Sequence, residues 1–282
     1  MINENYIEFK KLRDLGRIIS DTINFLRSEW KPLLYTTFKA SIIPVIITIG
    51  VALYYSDSTA TFFDILRMND DPSSSLGSVF LPLIAYAFAY AFIATSVFSY
   101  IKSYMENEGN VKFDEVNILI KNKSLSFLGL NIINGIIIGM GTLLCFFPGI
   151  YLGIVLSVST CILIFQNRGV FDSIGDSFSF IKDHWWDTFG VLFVVHLLIF
   201  VISLVLNLPM IIYEYDVTGF NFVNFDTLSD PIYLILTIVS YIVEFVFYVV
   251  SLIATALIYF DIEEQKYPST PKIIDEIGSD YN

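Results

Sequence analysis

The chain has 282 residues, 55% hydrophobic and 16% charged, with a mean hydropathy of +0.66; a soluble domain carries about 45–50% apolar and about 25% charged residues, so much of this chain has to face something other than water. The formal net charge of −12 speaks against nucleic acid as a partner, because phosphate backbones reward clustered Lys and Arg. The two cysteines, Cys145 and Cys161, form no CxxC and no cluster with histidine, so neither a zinc site nor a disulfide framework is expected.

Residues 1–32 are rich in charge, with no short apolar core or small-residue cleavage site of a signal peptide, so the first apolar run is expected to act as an uncleaved insertion signal. Within this segment Leu12, Leu15, Ile19, Ile23, Leu26 and Trp30 recur every three or four residues. That spacing predicts an amphipathic helix lying in the membrane interface, with Trp30 as its anchor.

Residues 33–260 hold six apolar runs: Leu33–Tyr55, Val79–Ile101, Leu125–Phe147, Ile150–Phe165, Thr188–Leu208 and Ile232–Phe260. Crossing ~30 Å of hydrocarbon takes about 20 helical residues. Only the fourth run is short, and Pro148-Gly149 before it predicts the turn of a tight helical hairpin. The expected architecture is therefore an all-α integral membrane protein with six transmembrane helices. Residues 261–282 would form a tail.

Basic residues fix the expected orientation. Lys10, Lys11, Arg13, Arg17, Arg27 and Lys31 precede the first run; Lys102, Lys112, Lys121 and Lys123 follow the second; Arg168 and Lys182 follow the fourth; Lys266 and Lys272 follow the sixth. The other side has only Arg67. The excess of Lys and Arg on cytoplasmic loops predicts that both termini are cytoplasmic, here in a bacterial inner membrane.

The segment before the fifth run repeats the pattern of the first. Phe171, Ile174, Phe178 and Ile181 form a stripe that ends at Trp185-Trp186, further candidate interfacial anchors. Ile19–Trp30 aligns without gaps on Ile174–Trp185, with four identical positions. A weaker third copy sets Leu119–Asn122 against Phe180–Asp183. The pattern predicts three parallel units, each an interfacial helix followed by a hairpin.

Pro148-Gly149-Ile150-Tyr151-Leu152-Gly153, then Gly169-Val170-Phe171-Asp172-Ser173, Ser177, Phe180, Trp185-Trp186 and Phe189-Gly190 resemble a bacterial family of six-helix membrane proteins of unknown function. That family includes the membrane domain of some glycerophosphodiester phosphodiesterases. The resemblance covers Pro148–Gly190, departs from the family at Asp183 and His184, and implies a fold but no activity.

No Walker A, HExxH, GxSxG or dinucleotide fingerprint is present in a credible context. The chain is therefore expected not to be an enzyme and to use no cofactor or metal. Asp216, Asp226 and Asp230 in the outward loop lack EF-hand spacing. Three ionisable residues fall within the runs: Lys39, His196 and Glu244. Lys39 is near enough to the inner end to snorkel. Glu244 and His196 fall at similar depths, so they are candidates to meet. Asn134, with Asn131, could bond to Ser157, Ser159 or Thr160, and Gly135–Gly139 is a GxxxG that would allow close helix packing. The function expected is a non-enzymatic inner-membrane scaffold or assembly protein, related to lipids, whose partners are membrane lipids, other membrane proteins or further copies of itself. The alternative is a small transporter with Glu244 and His196 in its path.

Overall fold

A computed structural model describes residues 6–54, 72–218 and 231–268. Among them all regular structure is helical: α1 (Leu15–Tyr54), α2 (Pro72–Glu106), α3 (Phe113–Leu144), α4 (Phe146–Ser157), α5 (Ser159–Phe165), α6 (Val170–Ile181), α7 (Trp185–Thr218) and α8 (Pro231–Lys266). Six stretches are long and apolar enough to cross a membrane, with α4 and α5 together making the fourth. This is an all-α, multi-pass membrane architecture.

The boundary expected at residue 33 is not a break. α1 is one helix of 40 residues, about 60 Å long and twice the hydrocarbon thickness. It continues through Pro32 because Ile18, Thr22, Phe25 and Leu33 are all buried along one side and hold the turns before and after the proline in line. α3 likewise runs unbroken from Phe113. Only the third unit is divided, at Lys182–His184, where the His184 N–H closes a tight turn on the Ile181 carbonyl. The apolar stripes also point differently from their expected use. Leu12, Ile23 and Trp30 are exposed, as are Phe171 and Phe178, whereas Ser173, Ser177 and Phe180 are buried. The bundle is packed by a neighbouring stripe that mixes small polar and aromatic side chains; of the apolar stripes themselves, Ile181 is buried and Leu26 and Ile174 pack partly against the core, while the exposed members face outward.

The threefold repeat has a counterpart in side-chain bonding. Arg13 Nε lies 2.8 Å from an Asp21 carboxylate oxygen. In the copy 155 residues on, Arg168 Nε lies 3.4 Å from Asp176. In the third copy, Asn107 donates to Glu115 at 3.1 Å. Each clasp joins a donor in the segment leading into a helix to a carboxylate eight residues later. The faces match as well: Thr22, Val116 and Ser177, one from each copy, are all buried.

The hairpin between the third and fourth spans does not turn at Pro148-Gly149. α3 ends at Leu144, Cys145 is extended, and Pro148 and Gly149 lie in the first turn of α4. Proline is tolerated there because the first helical N–H groups have no intrahelical partner. Gly149 serves a different end: a Cβ on it would lie 3.0 Å from Thr142 Cα, and one on Gly141 would lie 2.6 Å from Leu152 Cδ1. The close approach in this hairpin is Gly141 to Gly149. A Cβ added at Gly135 or Gly139 would meet nothing within 4 Å, so the GxxxG packs no helix here.

The basic side chains gather at one end of the bundle, where residues 6–14 lie across α1, α2 and α8. Phe9 packs edge-on against Phe25 and Phe260, and the Ile7 N–H donates to Tyr104 Oη at 2.9 Å. Burial and the nearby carboxylates of Glu8 and Glu108 push the Tyr6 hydroxyl above its ordinary value. The Arg13 guanidinium, buried, donates to the carbonyls of Phe9 (2.6 Å), Lys11 (3.1 Å) and Glu8, while its backbone N–H donates to Asp261 at 2.7 Å. Asp261 and Ile262 are thus packed bundle residues at the end of α8. Of the segment read as a tail, 269–282 lies outside the described residues.

Candidate functional site

α8 carries a polar residue on every turn of one side: Glu244, Tyr248, Ser251, Thr255, Tyr259 and Glu263, spaced by three or four. Such spacing keeps them on one slowly drifting face. In a span this is costly unless each group finds a partner, and each does.

Glu244 Oε1 accepts from Tyr86 at 2.7 Å and Tyr90 at 2.6 Å, both on α2. The two hydroxyls are 2.7 Å apart, and Tyr90 stacks obliquely on Tyr248. Further along, the Ser251 hydroxyl is 3.2 Å from His196 Nε2 on α7, and His196 Nδ1 is 2.8 Å from the Leu192 carbonyl. Tyr259 receives a bond from Gln166 (2.9 Å) and donates to Glu263 at 3.0 Å.

Glu244 and His196 therefore do not meet. Glu244 and Ser251, the partner of His196, are seven residues apart, about 10 Å along the helix, and each bonds to a different neighbouring helix. Tyr86 and Tyr90 are the partners of the candidate-site residue Glu244, and the sequence does not single them out. Their signal is two tyrosines four apart in mid-span, but tyrosines near a span more often mark an interface. The Asn134 expectation holds: its amide donates to Ser159 at 2.9 Å, tying α3 to α5. Lys39 is exposed on α1. Trp30 lies under Lys31 at 5.4 Å. Trp185 stacks on Tyr151 with centroids 5.8 Å apart, and its N–H is 3.5 Å from the Tyr151 carbonyl. It thus joins the start of α7 to α4, while Trp186 is exposed.

Between α4–α5, α7 and α8 runs a groove of about 520 Å³. Ile150, Ile154, Phe189, Phe193 and Leu252 supply its apolar walls, and Ser157, Thr160, His196, Ser251 and Thr255 its polar atoms. His196 and Phe193 are exposed on its rim, so it opens at the side of the bundle. Among the described residues no group of three or more His, Cys, Asp or Glu could hold a metal ion. The side chains of Asp216, Asp226 and Asp230 lie outside the described part of the structure. No family model, curated protein or solved structure matches this chain.

Proposed function

We propose that this protein is a non-enzymatic, lipid-related scaffold or assembly component of the bacterial inner membrane, with both termini in the cytoplasm, and a member of the six-helix family that its Pro148–Gly190 segment resembles. The observation that carries this reading is that Glu244 and His196 are each tied to a neighbouring helix by hydrogen bonds, while the nearest groove opens sideways toward lipid. Interhelical bonds of this kind are how polar residues hold bundles together in membranes. A transporter needs its ionisable groups on a route between the two aqueous sides. The orientation rests on the thirteen described basic residues at one end of the bundle, Lys10 to Lys266 with Lys39 set apart.

Flux decides between scaffold and transporter. Proteoliposomes containing the protein should show no voltage-driven proton or sodium flux above that of empty vesicles. A flux that Glu244→Gln abolishes, with the melting temperature unchanged, overturns the proposal. For orientation, Asn110→Cys should resist a membrane-impermeant maleimide in sealed cells and react after permeabilisation. Reaction in sealed cells reverses the topology.

A further inference from the structure

Each polar side chain of the side groove has a hydrogen-bond partner. The Leu192 carbonyl only accepts, so His196 Nδ1, 2.8 Å away, carries the ring proton. In the neutral ring Nε2 is then an acceptor, and the Ser251 hydroxyl 3.2 Å away is its donor. The other hydroxyl protons are directed into backbone carbonyls: Ser157 to Ile154 (2.7 Å), Thr160 to Ser157 (2.9 Å) and Thr255 to Ser251 (2.8 Å). Every side-chain proton available in the groove is in use. What remains on its polar wall are the unused lone pairs of four hydroxyl oxygens. The wall accepts hydrogen bonds and offers none.

That chemistry selects an occupant. The groove opens between spans, so molecules reach it from the bilayer, and its volume of about 520 Å³ falls within the range of about 300–1,000 Å³ typical of small-molecule sites. A phosphate or carboxylate anion would bring acceptors to a wall without donors or cationic side chains and would lose its hydration without compensation. A fully esterified lipid would fill the apolar part and leave the hydroxyl oxygens unmatched. A neutral lipid with a free hydroxyl group satisfies both halves. We propose that this groove is a binding site for a neutral lipid alcohol of the diacylglycerol class, with its hydroxyl donated to the Ser251–Thr160 wall and a chain lying along Ile154, Phe193 and Leu252. The inference rests on the lipid-related reading above and names the lipid class of that site.

The test uses full-length protein in nanodiscs of phosphatidylethanolamine and phosphatidylglycerol. The probe is a diacylglycerol with a photoreactive, clickable acyl chain, supplied in three forms: free hydroxyl, acetylated hydroxyl and phosphorylated hydroxyl. The free alcohol should label peptides of α7 and α8 saturably, with unlabelled diacylglycerol competing. Loss of the donor should weaken labelling about three- to tenfold, the worth of one neutral hydrogen bond. Ser251→Ala and Thr160→Val, which keep shape, should narrow the difference between the free and acetylated probes. Leu252→Trp should block labelling altogether; its melting curve shows whether it has folded, and the wild-type probe series decides the matter if it has not. Equal labelling by all three probes, strongest labelling by the phosphorylated one, or labelling that avoids α7 and α8 overturns the assignment. Flux measured in proteoliposomes made from the same purified protein separates the outcomes. Flux with selective labelling sinks the scaffold reading alone, and no flux with unselective labelling sinks the lipid site alone.

Discussion

The basic end of the bundle and the flank formed by α7 are built on opposite principles. At the basic end Phe9, Phe25, Tyr100, Tyr104, Tyr259 and Phe260 are at most 2% exposed, and a buried arginine holds a strap of backbone in place. α7 is the most apolar span, with a mean hydropathy of 2.9, yet only 11% of its apolar window is buried. Hydrophobicity does not pack a helix in a membrane, because lipid tails are as apolar as leucine. What packs this protein is hydrogen bonding, aromatic contact and close backbone approach, and the aromatic contacts are concentrated at the basic end. The flank is left to lipid, and its His196 completes the polar wall of the groove.

That contrast can be broken most directly at Arg13. Arg13→Ala strands the carbonyls of Glu8, Phe9 and Lys11 and the Asp21 carboxylate, and should cost about 3 kcal/mol, as leaving buried acceptors without a charged donor does. Its counterpart Arg168→Ala, in a clasp whose arginine is 56% exposed, should cost under about 1 kcal/mol. Equal losses in denaturant titrations of the two variants would mean that the basic end is not the stability centre.

Gly149→Ala should cost about 1–3 kcal/mol, because its methyl group meets the Thr142 backbone and overpacks the hairpin. Gly135→Ala and Gly139→Ala should be neutral or gain up to about 1 kcal/mol of helix propensity. Melting in detergent checks both, and a larger loss at Gly135 than at Gly149 would restore the GxxxG as the packing site.

Farther from the basic end, Glu244→Gln keeps an acceptor for Tyr86 and Tyr90 and should shift stability by about 1 kcal/mol or less, since interhelical hydrogen bonds in membranes average about 0.6 kcal/mol. Tyr90→Phe should fall in the same range. A collapse of the melting temperature in either variant would show the outer half to be as tightly coupled as the basic end.

The smallest effect sharpens the comparison without changing stability. Cys145 is exposed in the hairpin turn, and Cys161 is buried against Thr255. One maleimide equivalent should add to folded protein in detergent and two after denaturation. Two equivalents before denaturation would mean that the α5–α8 contact opens readily.

Some of this is legible along the chain. Run length and composition decide that helices cross a membrane, because an unsatisfied backbone cannot exist in hydrocarbon. Internal similarity between Ile19–Trp30 and Ile174–Trp185 marks the repeat, since equivalent packing demands equivalent side chains. Asn134 on α3 and Ser159 on α5 are recognisable as bond partners because a hairpin brings sequence neighbours together. Tertiary structure alone decides the rest. The ends of the apolar runs put Glu244 and His196 at similar depths, but the helices extend beyond those runs: His196 lies beside Ser251, about 10 Å along α8 from Glu244, and Glu244 turns toward Tyr86 and Tyr90 on α2. Pro148-Gly149 reads as a turn by local propensity, yet the contact of Gly149 with Thr142 places the turn at Cys145. Leu15, Ile23 and Trp30 of α1 and Phe171 and Phe178 of α6 face outward, because beside a bilayer the outside is also apolar. Periodicity finds the helix there, but only the neighbours a residue meets decide which of its faces is the core.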